Sequence, residues 1–200
     1  MSRPISAGGD PLGSGQDLSE TTLGSQTVFK GKLLHVQLDR VRMPNGQESS
    51  REYILHPGAA MIIALLDDNR LVLERQYRYP LRRHFIEIPA GKIDPGEDPL
   101  DTAKRELIEE CGYAAREWHH LTTMHPAIGY ADERIELYLA RGLTAVSRRL
   151  DEDEMIEVLH VGIDQAMTWL REGVITESKA VTGLLWAEKI LSGAWLLKRG

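Results

Sequence analysis

Cysteine is almost missing from this 200-residue chain, in which Cys111 stands alone. A lone cysteine excludes an internal disulfide framework and suits a reducing, cytoplasmic setting. Long apolar runs are missing too. No stretch approaches the roughly 20 apolar residues that cross a bilayer. The N-terminus has no continuous apolar segment of the kind a secretory signal carries, so no membrane partner is expected. Positive charge is not in excess: 24 Lys and Arg face 30 Asp and Glu, for a net charge of −6. That balance does not suit a nucleic-acid surface, and no nucleic acid is expected as a partner. The seven histidines fall into no metal-ligand spacing. His119 and His120 lie in a strand-like segment, where neighbours point to opposite faces. No internal repeat is evident.

What the chain does have is an ordinary apolar fraction, 42%, in a length that supports one good core and hardly two. Residues 1–24 are rich in Gly, Ser and Pro and are expected to form a flexible arm. Residues 25–56 carry strand patterns, and residues 57–200 form the main domain. Order is expected from residue 27, with strands over 27–30 and 33–43, a hairpin turn at Pro44-Asn45-Gly46 and a returning strand over 51–56. The apolar run 59–66 reads as a buried strand, followed by strands over 70–78 and 85–89. Further strands are expected over 118–124, 135–140 and 155–161, and helices over 164–172 and 177–192. Trp169, Trp186 and Trp195 fall in this last region and are expected to pack. Strands with helices on both faces give an α/β fold: an α/β/α sandwich around a mixed β-sheet, with an N-terminal β-strand extension.

The most informative stretch is residues 91–113, GKIDPGEDPLDTAKRELIEECGY. Pro95-Gly96 signals a turn. Asp98 followed by Pro99 makes a cap and a first helical residue, and Gly112 sits where a glycine ends a helix. At about 100° per residue, Leu100, Ala103, Leu107 and Cys111 share one apolar face, so Cys111 is expected to be buried and structural. Glu106, Glu109 and Glu110 share an adjoining face, with Lys104 and Arg105 to the side. Taken alone, three glutamates would suit a solvated acidic face. Set at this spacing between flanking glycines, and without interspersed lysines, they point instead to a hard divalent cation. Mg²⁺ prefers oxygen ligands and is commonly held by a few carboxylates plus phosphate oxygens of the substrate.

The pattern is G-x5-E-x7-R-E-U-x-E-E-x-G-U, with U a bulky apolar residue, and no position departs from it. Seven specified residues and two apolar ones at fixed spacing should arise by chance in such a chain about once in ten million. The chain therefore resembles the Nudix hydrolases, in which this box forms a loop-helix-loop that binds Mg²⁺ or Mn²⁺ and cleaves a diphosphate linked to another moiety. The resemblance implies that Glu106 and Glu110 are the principal metal ligands. It makes Glu109 a ligand or a group just behind one, Glu97 a weaker or water-mediated ligand, and the carbonyl of Ala90 a further ligand. Arg105 would orient a glutamate by a charge-assisted hydrogen bond.

The flanks PGAAMIIALL, LVLERQYRYP, FIEIPAGKID, HPAIGYADERIELYLARGL, DEDEMIEV and EGVITESKAV resemble the ADP-ribose pyrophosphatase branch of that superfamily. The likeness runs over nearly everything from residue 27 to 192, and Pro126 matches the branch's proline downstream of the box. It implies a phosphate-binding role for Arg78, a substrate contact near the nucleoside end for Arg51, and stacking on the base for Phe29. The general base is expected on the loop after Pro126, with Glu133 the best fit and Asp132 its competitor; Asp153 and Glu154 are further acids that could approach. The activity implied is hydrolysis of ADP-ribose to AMP and ribose 5-phosphate, by a homodimer that exchanges its N-terminal strands. Alternatives are another nucleoside diphosphate sugar such as GDP-mannose, or a catalytically silent, nucleotide-sensing domain.

Overall fold

The computed structural model describes residues 15, 17–150 and 154–197, in two units that divide between Ile54 and Leu55. Asp153 lies outside the described residues. In the first unit, β1 (Thr21–Lys30), β2 (His35–Arg42) and β3 (Glu48–Ile54) form an antiparallel sheet in the order β1-β2-β3. The β2–β3 turn falls where Pro44-Asn45-Gly46 predicts it. The Met43 amide donates to the Gln47 carbonyl at 2.8 Å, and Gly46 takes φ 84°, which costs a residue without Cβ little. Strand structure begins at Thr21, earlier than the expected residue 27. Residues 21–26 are mostly polar and show no apolar signal; their pairing with the far end of β2 makes them a strand. Every β1 residue except Leu23 is exposed, Val28 and Phe29 included.

The second unit contains β4 (Ala59–Leu65), β5 (Arg70–Arg78), β6 (Arg83–Glu87), β7 (Ala90–Lys92), α1 (Pro99–Cys111), β8 (Tyr113–Met124), β9 (Ile135–Ala145), β10 (Ile156–Gly162), α2 (Ile163–Arg171) and α3 (Ser178–Leu191). Its seven strands make one mixed sheet in the order β10-β5-β4-β9-β8, with β6 paired to β5 and β7 to β4. Only the β4–β9 pair is parallel. The strand β7 and a 3-10 turn over Tyr79–Leu81 carried no signal in the sequence. β8 starts at Tyr113, before the expected 118, and β9 runs on to Ala145, because the two strands pair along their length.

β4 explains the layers. All seven of its residues are buried, and alternate residues serve opposite faces. Ala60, Ile62 and Ala64 pack with Val72, Tyr138 and the Ala103, Leu107 and Cys111 stripe of α1. Ala59, Met61, Ile63 and Leu65 pack with Leu73, Ile88 and Leu139, and with Ala166 of α2 and Ala180, Leu184 and Ala187 of α3. The sheet thus lies between α1 on one face and α2 with α3 on the other. Trp169 and Trp186 pack half-buried against the second core, and Trp186 meets Trp195 edge-on at 4.6 Å between centroids.

A fork in this sheet positions the chemistry. β4 and β5 pair only at Ala64 with Val72 and Leu65 with Leu71. Beyond that they diverge: β6 continues the ladder of β5, and β7 that of β4. The Pro89 carbonyl accepts from the Ile62 amide at 2.9 Å and ties the connection to β4. β7 is thereby delivered beside α1.

The helix boundaries follow the sequence signals. Asp98 accepts from the Leu100 amide at 2.9 Å, and Gly112 closes α1 at φ 72° with its amide on the Ile108 carbonyl at 3.0 Å. Gly112→Ala should cost about 1–2 kcal/mol in chemical denaturation, since the left-handed conformation penalises a Cβ. Glu177 caps α3 by accepting from the Ala180 amide at 2.9 Å. Burial pushes its carboxyl up, but Lys179 and the capping amides overcome that and hold it below the usual carboxylate value. Its contribution is therefore present above the ordinary carboxylate range and is lost as pH falls through the depressed value. Glu177→Ala should lose about 1 kcal/mol near neutral pH, and the gap to wild type should shrink in acid, as measured by denaturation across pH.

Candidate active site

Arg105 occupies the middle of the acidic cluster, not its side. Its guanidinium donates to both oxygens of Glu97, at 3.0 and 2.9 Å, to Glu106 at 2.8 Å, to Glu109 at 3.0 Å and to the Lys92 carbonyl at 3.2 Å. Helical rotation alone placed it beside the glutamates; the loop before α1 brings Glu97 round to meet it, anchored by Thr102 Oγ1 donating to Glu97 at 2.7 Å. The hydrogen bonds from Arg105, against slight burial, hold the Glu97 carboxyl down at about 2.

Two box glutamates turn inward. Glu110 is buried and accepts from the Ala90 amide at 3.0 Å. Burial, followed by repulsion from Glu74 and Glu106, pushes its carboxyl well above the usual range. Burial raises Glu106 to about 7 despite Arg105. Glu74 of β5 is also raised to about 7, chiefly by burial, while a 3.0 Å hydrogen bond from the buried Cys111 thiol opposes the shift. The charge of Glu154 adds to the rise at all three carboxyls.

Among the described residues, no three His, Cys, Asp or Glu side chains stand about one point so as to hold an ion. Arg105 draws Glu97, Glu106 and Glu109 to itself, and Glu110 turns to a backbone amide. The donor set nonetheless fits a hard cation. It is all oxygen, it is half-buried with Glu110 fully so, and its repulsion is of the kind a divalent ion relieves. The cradle is specific as well: a Cβ at Gly91 would fall on the Glu106 carboxylate. Any side chain at this position would push the Glu106 carboxylate out of its place.

Beside this cradle lies a cleft of about 140 Å³ lined by His56, Arg78, Ala90, Gly91, Lys92, Glu133 and Lys179, among others. Three expected residues, Arg78, Ala90 and Glu133, meet in it, with Glu106 against its Gly91 wall. Glu133 Oε1 stands 3.8 Å from His56 Nε2. Its competitor Asp132 is taken up by the His56 amide, which donates to it at 2.7 Å. Arg78 donates to Glu87 through Nε at 2.6 Å and Nη2 at 2.7 Å.

Arg51 and Phe29 belong to the N-terminal unit. Arg51 donates to both oxygens of Glu20, one at 2.9 Å, to Ser49 Oγ at 3.0 Å and to the Ser50 carbonyl at 2.8 Å. Phe29 is 55% exposed, so it is not a core residue of its sheet. Sequence reasoning missed His56, Glu74, Glu87 and Lys179. Two of these left a signal: Glu74 shares strand parity with buried Val72, and Glu87 with buried Phe85. A charged residue at an inward position has to find a partner. Gly91→Ala should displace the Glu106 carboxylate, as read in a crystal structure of the variant, with a thermal unfolding midpoint close to wild type as the check on folding.

Comparison with known proteins agrees with this architecture. The NUDIX domain model matches residues 55–181, and the model for the nucleoside diphosphate sugar hydrolase N-terminal domain matches residues 20–54. A methanol dehydrogenase activator of Bacillus methanolicus is 41% identical over 169 residues, 84% of this chain and 91% of that protein. An ADP-ribose pyrophosphatase of Bacillus subtilis (strain 168) is 37% identical over 166 residues, 82% of this chain and 90% of that protein. A crystal structure of an ADP compounds hydrolase superposes with a TM-score of 0.80 at 27% identity, covering 90% of this chain and 98% of that one. With the intact box on α1, the fork that brings β7 to it and these matches, the chain belongs to the Nudix family and is a Nudix pyrophosphohydrolase.

Proposed function

We propose that the protein hydrolyses ADP-ribose to AMP and ribose 5-phosphate in the cytoplasm, with Mg²⁺ as cofactor and Mn²⁺ able to replace it. The observation that carries the reading is the adjacency of half-buried Glu106 and buried Glu110 to a cleft holding Arg78, Lys179 and Glu133. Relatives named ADP-ribose pyrophosphatase support the substrate. No observation favours GDP-mannose or a silent sensor.

A divalent cation held by Glu106, Glu110 and the Ala90 carbonyl, with Glu97 and Glu109 at hand, would neutralise the diphosphate and make water a better nucleophile. The chain's own groups do the remainder. Arg78 binds a phosphate oxygen with donors that Glu87 leaves free. Arg105 keeps Glu97, Glu106 and Glu109 at fixed spacing. Glu133 accepts the proton of the attacking water, from a loop that Asp132 fastens to His56.

Arg51 and Phe29 would serve the nucleoside end in a neighbouring subunit of a homodimer that exchanges N-terminal strands. β1 supports this: it is an edge strand exposed along its length, with Val28 and Phe29 open to solvent. A second copy could cover such an edge. No helix among the described residues is long and apolar enough to cross a membrane.

AMP release from a panel of nucleoside diphosphate sugars with Mg²⁺ tests the substrate, and ADP-ribose should show the highest kcat/KM. Glu106→Gln and Glu110→Gln should each lower turnover by at least about 100-fold while thermal unfolding stays near wild type. Glu133→Gln should lower kcat by about 10²–10⁴-fold; unchanged turnover would move the base elsewhere. Wild-type protein that binds ADP-ribose without releasing AMP would be a sensor. Light scattering should give a dimer mass.

A further inference from the structure

A separate cleft of about 210 Å³ lies where β4 has ended and β9 runs on, and Leu65, Asp67, Asn69, Arg116, Glu117 and Arg141 line it. The catalytic cleft takes in Ala59, at the other end of β4. At about 3.3 Å per residue, the strand keeps the two roughly 20 Å apart. Four charged side chains line the separate cleft, two of each sign. Among the described residues, none of the four has a hydrogen bond or ion pair. Elsewhere on this surface neighbouring opposite charges do pair, as Arg70 with Asp68 at 2.7 Å, Arg75 with Glu157 at 3.0 Å and Lys104 with Asp101 at 2.9 Å. Glu117 and Arg141 even stand opposite each other in the β8–β9 ladder, a placement that favours pairing, yet they leave their charges to the cleft. Arg116 is seated against bare backbone: a Cβ at Gly142 would lie 2.7 Å from its Nε and 2.9 Å from its Nη2. Gly142 takes φ 63°, a conformation that suits a residue without Cβ.

The unpaired groups define the chemistry of a ligand. Two guanidinium groups supply forked donors and a double positive charge, which match a phosphate dianion. Asp67 and Glu117 would repel a bare anion, but they accept hydrogen bonds from hydroxyl groups, and the Asn69 amide both donates and accepts. A molecule that satisfies all four charges therefore carries a phosphate at one end and hydroxyls at the other. An amino-acid zwitterion would engage only one cation and one carboxylate. A nucleotide is too large, since sites for drug-sized ligands begin at roughly 300 Å³.

We propose that this cleft is a second ligand site, which takes a small sugar phosphate, with Arg116 and Arg141 on the phosphate and Asp67 and Glu117 on the sugar hydroxyls. The site is separate from the hydrolytic centre and does not depend on which diphosphate is hydrolysed there.

The experiment is calorimetric titration of the full chain with ribose 5-phosphate and, separately, with inorganic phosphate, both without divalent cation so that the catalytic cleft binds phosphate weakly. Wild-type protein should bind ribose 5-phosphate more tightly than inorganic phosphate. Arg116→Gln and Arg141→Gln should each weaken both ligands by about tenfold, the worth of roughly one charged hydrogen bond. Asp67→Ala and Glu117→Ala should weaken ribose 5-phosphate by about threefold or more. The same two variants should hold inorganic phosphate as tightly as wild type or more so, because each removes a repelling charge. Arg78→Gln, in the catalytic cleft, should bind ribose 5-phosphate as wild type does. Wild-type protein that takes up neither ligand at millimolar concentration would overturn the site. Affinity lost in Arg78→Gln and kept in Arg116→Gln would put the ligand in the catalytic cleft and overturn the site as well. Equal affinity for the two ligands, with Asp67→Ala and Glu117→Ala unchanged, would overturn the sugar assignment. Unfolding midpoints near wild type check the fold of each variant. Should half-buried Arg141→Gln fail to fold, Arg141→Lys takes its place, keeping the charge but losing the fork, with weaker binding still expected. ADP-ribose turnover should be unchanged in Arg116→Gln, so failure of this site and failure of the proposed hydrolysis are read separately.

Discussion

The docking of α1 against β7 is the contact on which the rest of the site depends. It has two parts. The Ala90 amide donates to Glu110, giving a buried carboxylate a partner, and the missing side chain of Gly91 leaves room for Glu106. Without the first, Glu110 would be a charge buried at a cost of several kcal/mol. Without the second, the Glu106 carboxylate would have to leave its place beside the strand. The apolar stripe of Ala103, Leu107 and Cys111 presses the helix onto β4, so a hydrophobic contact sets the spacing at which the acids meet the strand.

The arrangement is electrostatically expensive, and the chain offsets that cost locally. Arg105 bridges three glutamates, and the Cys111 thiol donates to Glu74. What remains uncompensated lies at Glu106, Glu110 and Glu74, whose carboxyls are all pushed upward. Groups displaced by burial and crowding within reach of a cleft are where chemistry is commonly sited. The same logic holds across the cleft, where buried Glu87 gathers Arg78 and Lys179.

The fork between β4 and β5 brings these groups together. Two strands that paired along their full length would leave no place for β7. Because they part after two residue pairs, β6 and β7 enter beside them, and Arg78, Glu87 and Gly91 come to one region from a short stretch of chain. Glu133 and Lys179 arrive from far along the sequence, on the loop before β9 and on the first turn of α3.

How much of this was legible depended on the range of the interaction. The α1 boundaries could be read from Asp98, Pro99 and Gly112, because caps are local contacts. β4 and β5 could be read from apolar runs and alternation. β7 and the start of β1 could not, since three residues of β7 and the polar residues 21–26 become strands only by pairing with distant partners. Arg105 was placed to the side of the glutamates by helical geometry, which knows nothing of the loop that returns Glu97 to it. Glu74 and Glu87 left a trace in strand parity, while His56 and Lys179 left none.

By itself the sequence determined the hydrolytic box, the helix that carries it and the layered α/β fold, because spacing along one helix and periodicity along one strand are properties of neighbouring residues. Only the tertiary structure decided which glutamates are buried, which acid of the Asp132–Glu133 pair faces the cleft and which cations share Glu87. Those outcomes depend on burial and on hydrogen bonds between segments far apart in the chain, and no local pattern encodes them.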